Sequence, residues 1–232
     1  MQLTDDRRAL HRIPELDRNL PQTMEYLRST LENLSCKVFS PMDCSLCAFF
    51  DFGKKDAIAF RADADALPIQ EKNKVPYAST HPGVMHACGH DGHMAILLEL
   101  ARRLSEKKDL PHNVLLVFQP AEETTGGAKD LCATGVFRSH KVLAIFGLHL
   151  WPQLPEGVIA SRKIALSDFF RNGMSSRRKM KWRTLSRFSS TELALSPQIG
   201  LLLTIDGTSG TVVTSPGTVF HSRRSLNQRV NS

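Results

Sequence analysis

The sequence predicts an α/β fold, a three-layer domain in which helices flank a mixed or parallel sheet. Apolar runs of four to seven residues alternate along the chain with segments whose apolar residues recur every three or four positions. The first pattern is typical of strands and the second of amphipathic helices, so their alternation indicates a sheet covered by helices. Hydrophobic residues form 41% of the 232 residues, which is enough for a substantial core.

Three helices are predicted from periodicity and from the residues at their ends. The first begins at Leu20-Pro21 and carries apolar residues through Leu34, since proline suits the first turn of a helix. The second begins near Gly92 and places its apolar residues on one face. The third is short, covers Gly126–Thr134 and is closed by Gly135.

Polar side chains follow three of the five predicted strands. The predicted strands are Cys36–Phe39, Leu46–Phe52, Ala57–Phe60, Val114–Phe118 and Val142–Leu148. Open α/β sheets bind ligands beyond the carboxyl ends of their strands. We therefore expect the residues that follow the last three strands to share one site, and these are Asp63, Asp65, Glu122, Glu123 and His149.

The segment His86-Ala-Cys-Gly-His-Asp-Gly-His93 predicts a metal site. Three histidines, a cysteine and an aspartate within eight residues are poor material for a core. Thiolate and imidazole bind zinc, and imidazole with carboxylate suits manganese or iron. The loop that carries Cys88 and His90 precedes a predicted helix, so it can lie over the same edge of the sheet.

The segment Pro120-Ala-Glu-Glu123 places two adjacent carboxylates on a loop, where neighbouring side chains can point in different directions. One can bind a metal while the other takes a proton from water whose pKa the metal has lowered toward about 7. The alternative is an acidic turn that caps the helix starting near Gly126, where the helix dipole favours negative charge.

Five motifs resemble, in order, those of the metal-dependent amidohydrolases that include hippurate hydrolase, N-acyl-amino-acid amidohydrolase and the auxin-conjugate hydrolases. The motifs are Arg7-Arg-Ala-Leu-His-Arg-Ile-Pro-Glu15, Phe60-Arg-Ala-Asp-Ala-Asp-Ala-Leu-Pro68, Met85-His-Ala-Cys-Gly-His-Asp-Gly-His93, Phe118-Gln-Pro-Ala-Glu-Glu123 and Gly147-Leu-His-Leu-Trp-Pro152. The resemblance covers residues 7–166 and implies the first part of that family's catalytic domain.

The resemblance also implies roles for individual residues. The implied metal ligands are Cys88, His90, Glu123 and His149, which would hold two ions, zinc or manganese. Glu122 matches the general base in the hydrolysis of the amide of an N-acyl amino acid. Asp63 would orient a ligand, with a plain strand-end turn as the alternative. Asp91 would support the site, with capping of its own helix as the alternative.

Other histidines receive weaker interpretations. His86 and His93 are expected to support or line the site. His11, His112 and His140 are interpreted as surface or packing histidines, because none lies in a segment dense in other ligand types.

The composition changes near residue 170. Residues 171–232 hold 10 of the 30 Lys and Arg residues and only two acids, while the first 170 residues hold 20 basic and 21 acidic groups. We therefore divide the chain into residues 1–168, the first part of a catalytic domain, and residues 169–232, a basic tail rich in serine and threonine. The tail is expected to be disordered or to be the shifted-frame translation of an ordinary family gene.

Nothing after Phe170 resembles the family. The resemblance implies that the inserted domain, which forms dimers and covers the site, is missing, together with one last histidine ligand. The catalytic domain is then expected to be incomplete. A nucleic-acid partner, suggested by the basic segment Arg177–Arg183, is disfavoured.

The expected location is the cytoplasm. No run of about 18 apolar residues exists to span a membrane, and no apolar segment follows the charges near the N-terminus to form a secretory signal. Five cysteines, an odd number, suit reduced thiols better than disulfides.

Two functions stay open at this point. The leading hypothesis is a metal-dependent amidohydrolase of N-acyl amino acids, with little activity expected from a site that lacks a ligand and a cover. The rival is a non-catalytic remnant or metal-binding fragment of such an enzyme.

Overall fold

The computed structural model describes residues 2–151 and five further strand segments. The helices are α1 (Gln2–Arg12), α2 (Pro21–Leu31), α3 (His90–Ser105), α4 (Gly127–Ala133) and α5 (Val136–Ser139). The strands are β1 (Lys37–Phe39), β2 (Leu46–Phe50), β3 (Ala57–Asp63), β4 (Asn113–Gln119), β5 (Val142–Trp151), β6 (Val158–Lys163), β7 (Arg183–Arg187), β8 (Gly200–Asp206), β9 (Thr211–Thr214) and β10 (Thr218–His221). In this part of the chain, none of the helices combines the length and the apolar character needed to cross a bilayer.

The main sheet is mixed, as the sequence predicted. Its strand order is β1-β2-β4-β3-β5-β8-β6-β7. β3 runs parallel to its two neighbours, β4 and β5. On either side of these three strands the pairing is antiparallel, between β2 and β4 and between β8 and β5. A separate antiparallel pair is formed by β9 and β10. The three parallel strands end at the same edge, which is where the polar residues of the sequence motifs are found.

Helices cover both faces of the sheet and create the three layers. α1, α2 and α3 pack on one face, and α4 and α5 pack on the other. β4 contributes to both faces because successive strand residues point in opposite directions. Its Leu116 and Phe118 join the cluster under α3, and its Leu115 and Val117 join the cluster under α4.

Three details differ from the sequence-based expectations. α1 was not predicted, because its buried residues Asp6, Leu10 and His11 are mostly polar and give no apolar periodicity. Asp63 is the last residue of β3, and His149 lies inside β5 rather than after it. Both polar residues are part of the strands because their backbones pair with neighbouring strands, Asp63 with Gln119 and His149 with Leu202.

The expected tail is described only in part. β7 to β10 lie within residues 169–232, and the rest of that segment is outside the described residues. The boundary at residue 168 and the shifted-frame origin of the tail stay predictions.

The burial of β4 predicts a large difference between two leucine-to-alanine substitutions. Leu116 is fully buried and Leu143 on β5 is 56% exposed. Leu116→Ala should lower the free energy of unfolding by about 2–5 kcal/mol, because it removes buried apolar surface and leaves a cavity. Leu143→Ala should change it by less than about 0.5 kcal/mol. Urea denaturation of both variants measures this, and equal losses would contradict the described packing.

Candidate metal centre

Three parallel strands bring the predicted site residues to one edge of the sheet. β3 ends at Asp63, and β4 and β5 run in the same direction beside it. Glu122 and Glu123 follow β4, and His149 lies near the end of β5. α3 begins at His90 and packs against these strands. The segments that were expected to converge therefore do meet.

Donor atoms of these residues lie close enough to share a metal ion. In three groups, one donor atom from each residue lies within 4.8 Å of the others. The groups are Cys88, His90 and His149; Asp63, His90 and His93; and His90, Glu122 and Glu123. His90 belongs to all three, so it stands at the centre of the arrangement.

Two buried donor atoms at this centre lack hydrogen bonds within the described residues. His90 Nε2 and Glu123 Oε1 lie 3.6 Å apart, beyond hydrogen-bond distance, and neither has another hydrogen-bond partner. An unsatisfied buried polar atom costs about 1–3 kcal/mol. A cation between the two would satisfy both, since imidazole nitrogen and carboxylate oxygen bind zinc and manganese. The donor set therefore fits a divalent metal.

Hydrogen bonds determine which nitrogen each histidine presents. His90 Nδ1 donates to the carbonyl oxygen of Asp65 over 2.7 Å. His149 Nδ1 donates to the carbonyl oxygen of Leu150 over 2.6 Å. Because both Nδ1 atoms carry the proton, the Nε2 atoms hold the lone pairs that can bind a metal. His149 Nε2 lies 3.6 Å from Cys88 Sγ, so these two candidate donors are also adjacent.

Asp63 is fully buried and orients a neighbouring histidine. His93 Nδ1 donates to Asp63 Oδ1 over 2.5 Å, and the backbone N–H of Leu150 donates to His93 Nε2 over 2.8 Å. Both nitrogens of His93 are thus in use, so it is not among the candidate ligands despite its position. Burial opposes the ionisation of Asp63, but Arg61, His93 and His90 outweigh it and hold the pKa of Asp63 well below its ordinary value.

Asp65 holds the loop that carries the two glutamates. Its buried carboxylate accepts the backbone N–H groups of Glu122 and Glu123 over 2.9 and 3.0 Å. Ala121 precedes them with φ 55°, a left-handed conformation that costs a non-glycine residue about 1–3 kcal/mol. The carbonyl oxygen of Ala121 accepts the N–H of Gly126 over 2.8 Å, which helps to retain that conformation.

The protonation of two site residues follows from their surroundings. Burial and the charge of Asp63 raise the pKa of Glu122 above its ordinary value. A raised pKa suits a carboxylate that must accept a proton and later release it near neutral pH. Burial and the neighbouring Glu123 raise the pKa of the Cys88 thiol to about 12. The thiol therefore keeps its proton until a cation displaces it.

Two glycines allow the elements of the site to approach closely. A Cβ atom on Gly92 would lie 2.6 Å from Leu150 Cδ1, so the end of that leucine side chain would have to shift. A Cβ atom on Gly127 would lie 2.2 Å from the backbone carbonyl oxygen of Pro120, which cannot shift as easily. The close approach of α4 to the start of the glutamate loop therefore requires a glycine at position 127.

Asp91 connects the metal-ligand segment to α1. Its Oδ2 accepts a hydrogen bond from His11 Nδ1 over 2.7 Å and forms an ion pair with Arg7, whose Nε lies 2.9 Å away. Its Oδ1 has no hydrogen-bond partner in the described part of the chain. The carboxylate therefore does not cap its own helix, which was the alternative from the sequence.

His11 and Arg7 were missed as residues near the site. His11 is only 3% exposed, and its Nε2 lies 3.2 Å from Glu71 Oε1, so two carboxylates flank the ring. It had been interpreted as a surface or packing histidine. The available signal was the spacing of four residues between Arg7 and His11, which places both on one face of a helix.

The remaining histidines differ in environment. His86 is buried, burial lowers its pKa to about 4, and neither ring nitrogen has a hydrogen-bond partner among the described residues. His112 bonds Asp56 at the start of β4. His140 stacks on Phe39, with ring centroids 5.4 Å apart, which agrees with its predicted packing role.

The cluster around His11 predicts a pH dependence of stability in the metal-free protein. Burial opposes protonation of His11, but Asp91 and Glu71 outweigh it and raise the pKa of His11 above 6.5. Protonated His11 therefore contributes fully to the free energy of unfolding below pH 6.5, and this contribution is lost as pH rises through the raised pKa. The pKa values of Asp91 and Glu71 are lowered from 3.8 and 4.5, so their contribution is lost as pH falls below those values. The cluster should therefore stabilise the fold most between pH 4.5 and 6.5.

Urea unfolding with a chelator present measures this effect. The loss of unfolding free energy caused by His11→Gln should be larger at about pH 5.5 than at about pH 8.5, because the native imidazolium is lost at high pH. A loss that grows toward alkaline pH would contradict the described cluster.

Comparison with known proteins places these motifs in one family. Residues 59–219 match the family described as Peptidase family M20/M25/M40. An uncharacterized hydrolase of Staphylococcus aureus (strain bovine RF122 / ET3-1) is 42% identical over 183 residues, which cover 75% of this chain and 48% of that protein. An uncharacterized hydrolase of Staphylococcus haemolyticus is 43% identical with the same coverage. The chain thus spans about half the length of the curated relatives that it matches.

A solved structure supports the same assignment. The YXEP protein of Bacillus subtilis, described as a dinuclear metal binding peptidase from the M20 family, superposes with a TM-score of 0.63 at 38% identity. The match covers 70% of this chain and 46% of that one. The family match includes β3, α3, β4 and β5, the elements that carry the candidate ligands. By sequence and by fold, the chain belongs to peptidase family M20/M25/M40.

Proposed function

We propose that this protein is a metal-dependent hydrolase that cleaves the amide bond of N-acyl amino acids. The observation that carries the proposal is the pair of buried, unpartnered donor atoms at the sheet edge, His90 Nε2 and Glu123 Oε1. Cys88 and His149 lie beside them in ligand positions. Burying these atoms without partners among the described residues costs free energy, and a divalent cation bound to both would remove that cost.

The proposed ligands are Cys88, His90, Glu123 and His149, and the proposed ions are two of zinc or manganese. A bound divalent metal lowers the pKa of water and polarises a carbonyl group. Cys88 and Glu123 would bring negative charge to the ions, and His90 and His149 would bring neutral Nε2 donors. The description of the YXEP protein as a dinuclear metal binding peptidase supports a count of two.

Glu122 is the proposed general base. It takes a proton from water as the water oxygen bonds to the amide carbon, and it delivers the proton to nitrogen as the carbon–nitrogen bond breaks. The products are a free amine and a carboxylic acid, which releases its remaining proton to solvent at neutral pH. Asp65 fixes the backbone of Glu122, and Asp63 raises its affinity for the proton. Asp63 also orients His93, and Asp91 supports the segment that carries His90.

The proposed substrate class comes from the resemblance of the five motifs, and it requires no macromolecular partner. A small molecule with an acylated amine suits the family's hydrolytic chemistry. The cytoplasm is the proposed location, in agreement with five cysteines that are free in the described structure.

Loss of the Glu122 carboxylate should abolish turnover without loss of metal. Glu122→Gln keeps the size of the side chain but cannot accept the proton, so hydrolysis of hippurate and other N-acyl amino acids should fall by about 100-fold or more. The matched control is Glu106→Gln, which changes an exposed glutamate directly after α3 and should leave the rate of hydrolysis unchanged. Amine release with added zinc or manganese measures the rates.

The same assay separates the two functions that the sequence left open. Equal background rates for the unaltered protein and for Glu122→Gln would end the enzyme proposal. Bound metal without turnover would then support the rival, a metal-binding fragment without catalytic activity.

Cys88 should be required for metal binding. Cys88→Ser replaces a thiolate donor by a weaker neutral hydroxyl, so the bound metal, measured by elemental analysis after dialysis, should fall below that of the unaltered protein. Cys132→Ser, a half-buried cysteine on α4, is the control and should keep the full content. Equal metal content in the Cys88→Ser protein would remove Cys88 from the ligand set.

A further inference from the structure

α1 contacts the metal-ligand segment through a buried charged cluster. The cluster consists of Arg7, His11, Glu71 and Asp91, and three of these side chains are at most 4% exposed. Asp91 directly follows His90 in the first turn of α3. Asp91 Oδ2 accepts a hydrogen bond from His11 and pairs with the charge of Arg7, so two groups of α1 converge on one oxygen atom of the residue next to a proposed ligand.

Hydrogen bonds to the loop after β3 hold this cluster in place, so it can in turn fix the position of Asp91 at the start of α3. Glu71 Oε1 lies 3.2 Å from His11 Nε2, and Glu71 Oε2 accepts the backbone N–H of Ser79 over 2.6 Å. The hydroxyl of Thr80 donates to the carbonyl oxygen of Arg12 over 2.7 Å. The loop after β3 is thus bound to the end of α1 on two sides of His11.

The start of α3 needs such external support. The residue before His90 is Gly89, with φ 88°, and it provides no side-chain cap for the helix. Asp91 does not cap the helix either, because its bonded oxygen is directed to α1. The orientation of the first turn, which carries His90 and follows Cys88, therefore depends on contacts with other elements.

We propose that His11 and Arg7 are positioning residues of the metal centre. They hold Asp91 and so fix the turn that presents Cys88 and His90. Neither residue touches the proposed ions. Both residues lie on α1, an element that contributes none of the proposed ligands. This inference rests on the proposed metal centre.

Affinity for Co²⁺ tests the proposal independently of catalysis. The absorption of a thiolate bound to Co²⁺ reports on Cys88, and competition with a chelator gives the affinity. His11→Leu should weaken Co²⁺ binding by about 10-fold or more, the range found when partners of metal ligands are removed. Arg7→Gln should weaken it in the same direction, while Arg7→Lys should restore binding because it keeps a charge opposite Asp91.

A matched control comes from the opposite end of the sheet. His112 also pairs with an aspartate, Asp56, next to the start of β4, so His112→Leu removes a similar pair far along the strand from the proposed ligands. It should leave Co²⁺ affinity unchanged. Far-ultraviolet circular dichroism establishes that each variant is folded, and if His11→Leu does not fold, the comparison of Arg7→Gln with Arg7→Lys decides.

The outcomes distinguish the inference from the function on which it rests. If folded His11→Leu and Arg7→Gln proteins bind Co²⁺ as tightly as the unaltered protein, while Cys88→Ser does not, α1 has no positioning role and the metal centre stands. If the unaltered protein binds no Co²⁺, the metal centre is wrong, and this inference is wrong with it.

Discussion

The burial of two carboxylates at the end of β3 is the constraint on which the site depends. Asp63 and Asp65 are both inaccessible to solvent, and a buried charge is tolerated only when other groups compensate it. Asp63 is compensated by Arg61 and His93. Asp65 is compensated by two backbone N–H groups of the glutamate loop. Each of these contacts also holds another element in place: His93 belongs to α3, and the N–H groups belong to the loop after β4.

The two aspartates differ in how they are compensated, and this difference explains their separate effects. Charged neighbours lower the pKa of Asp63, which therefore stays ionised and attracts cations and protons to its surroundings. Burial raises the pKa of Asp65 even though backbone N–H groups oppose the shift. Asp63 thus affects its neighbours mainly through its negative charge. Asp65 acts mainly as a hydrogen-bond acceptor that holds the loop after β4.

The sequence predicted the elements of this arrangement better than the contacts between them. The strands β1 to β5, α3 and the convergence of Cys88, Glu123 and His149 followed from apolar patterns and from the rule that ligands lie at strand ends. The contacts of His11 could not be predicted, because its spacing from Arg7 indicates a shared helix face but not which residues that face contacts. Its partners, Glu71 and Asp91, are 60 and 80 residues away. The roles of the glycines were equally hidden, since a close approach depends on the partner strand.

The adjacent glutamates show how neighbouring residues of one type acquire different chemistry. Ala121 turns the chain with a positive φ, and Asp65 holds the next two N–H groups, so the backbone of the pair is fixed before either side chain is placed. Glu123 Oε1 is then buried against His90 without a hydrogen bond among the described residues. Glu122 is partly buried near the charge of Asp63, and burial together with that charge raises its pKa. In the proposed function Glu123 supplies a metal donor and Glu122 accepts a proton, and a single strained turn fixes the backbone of both.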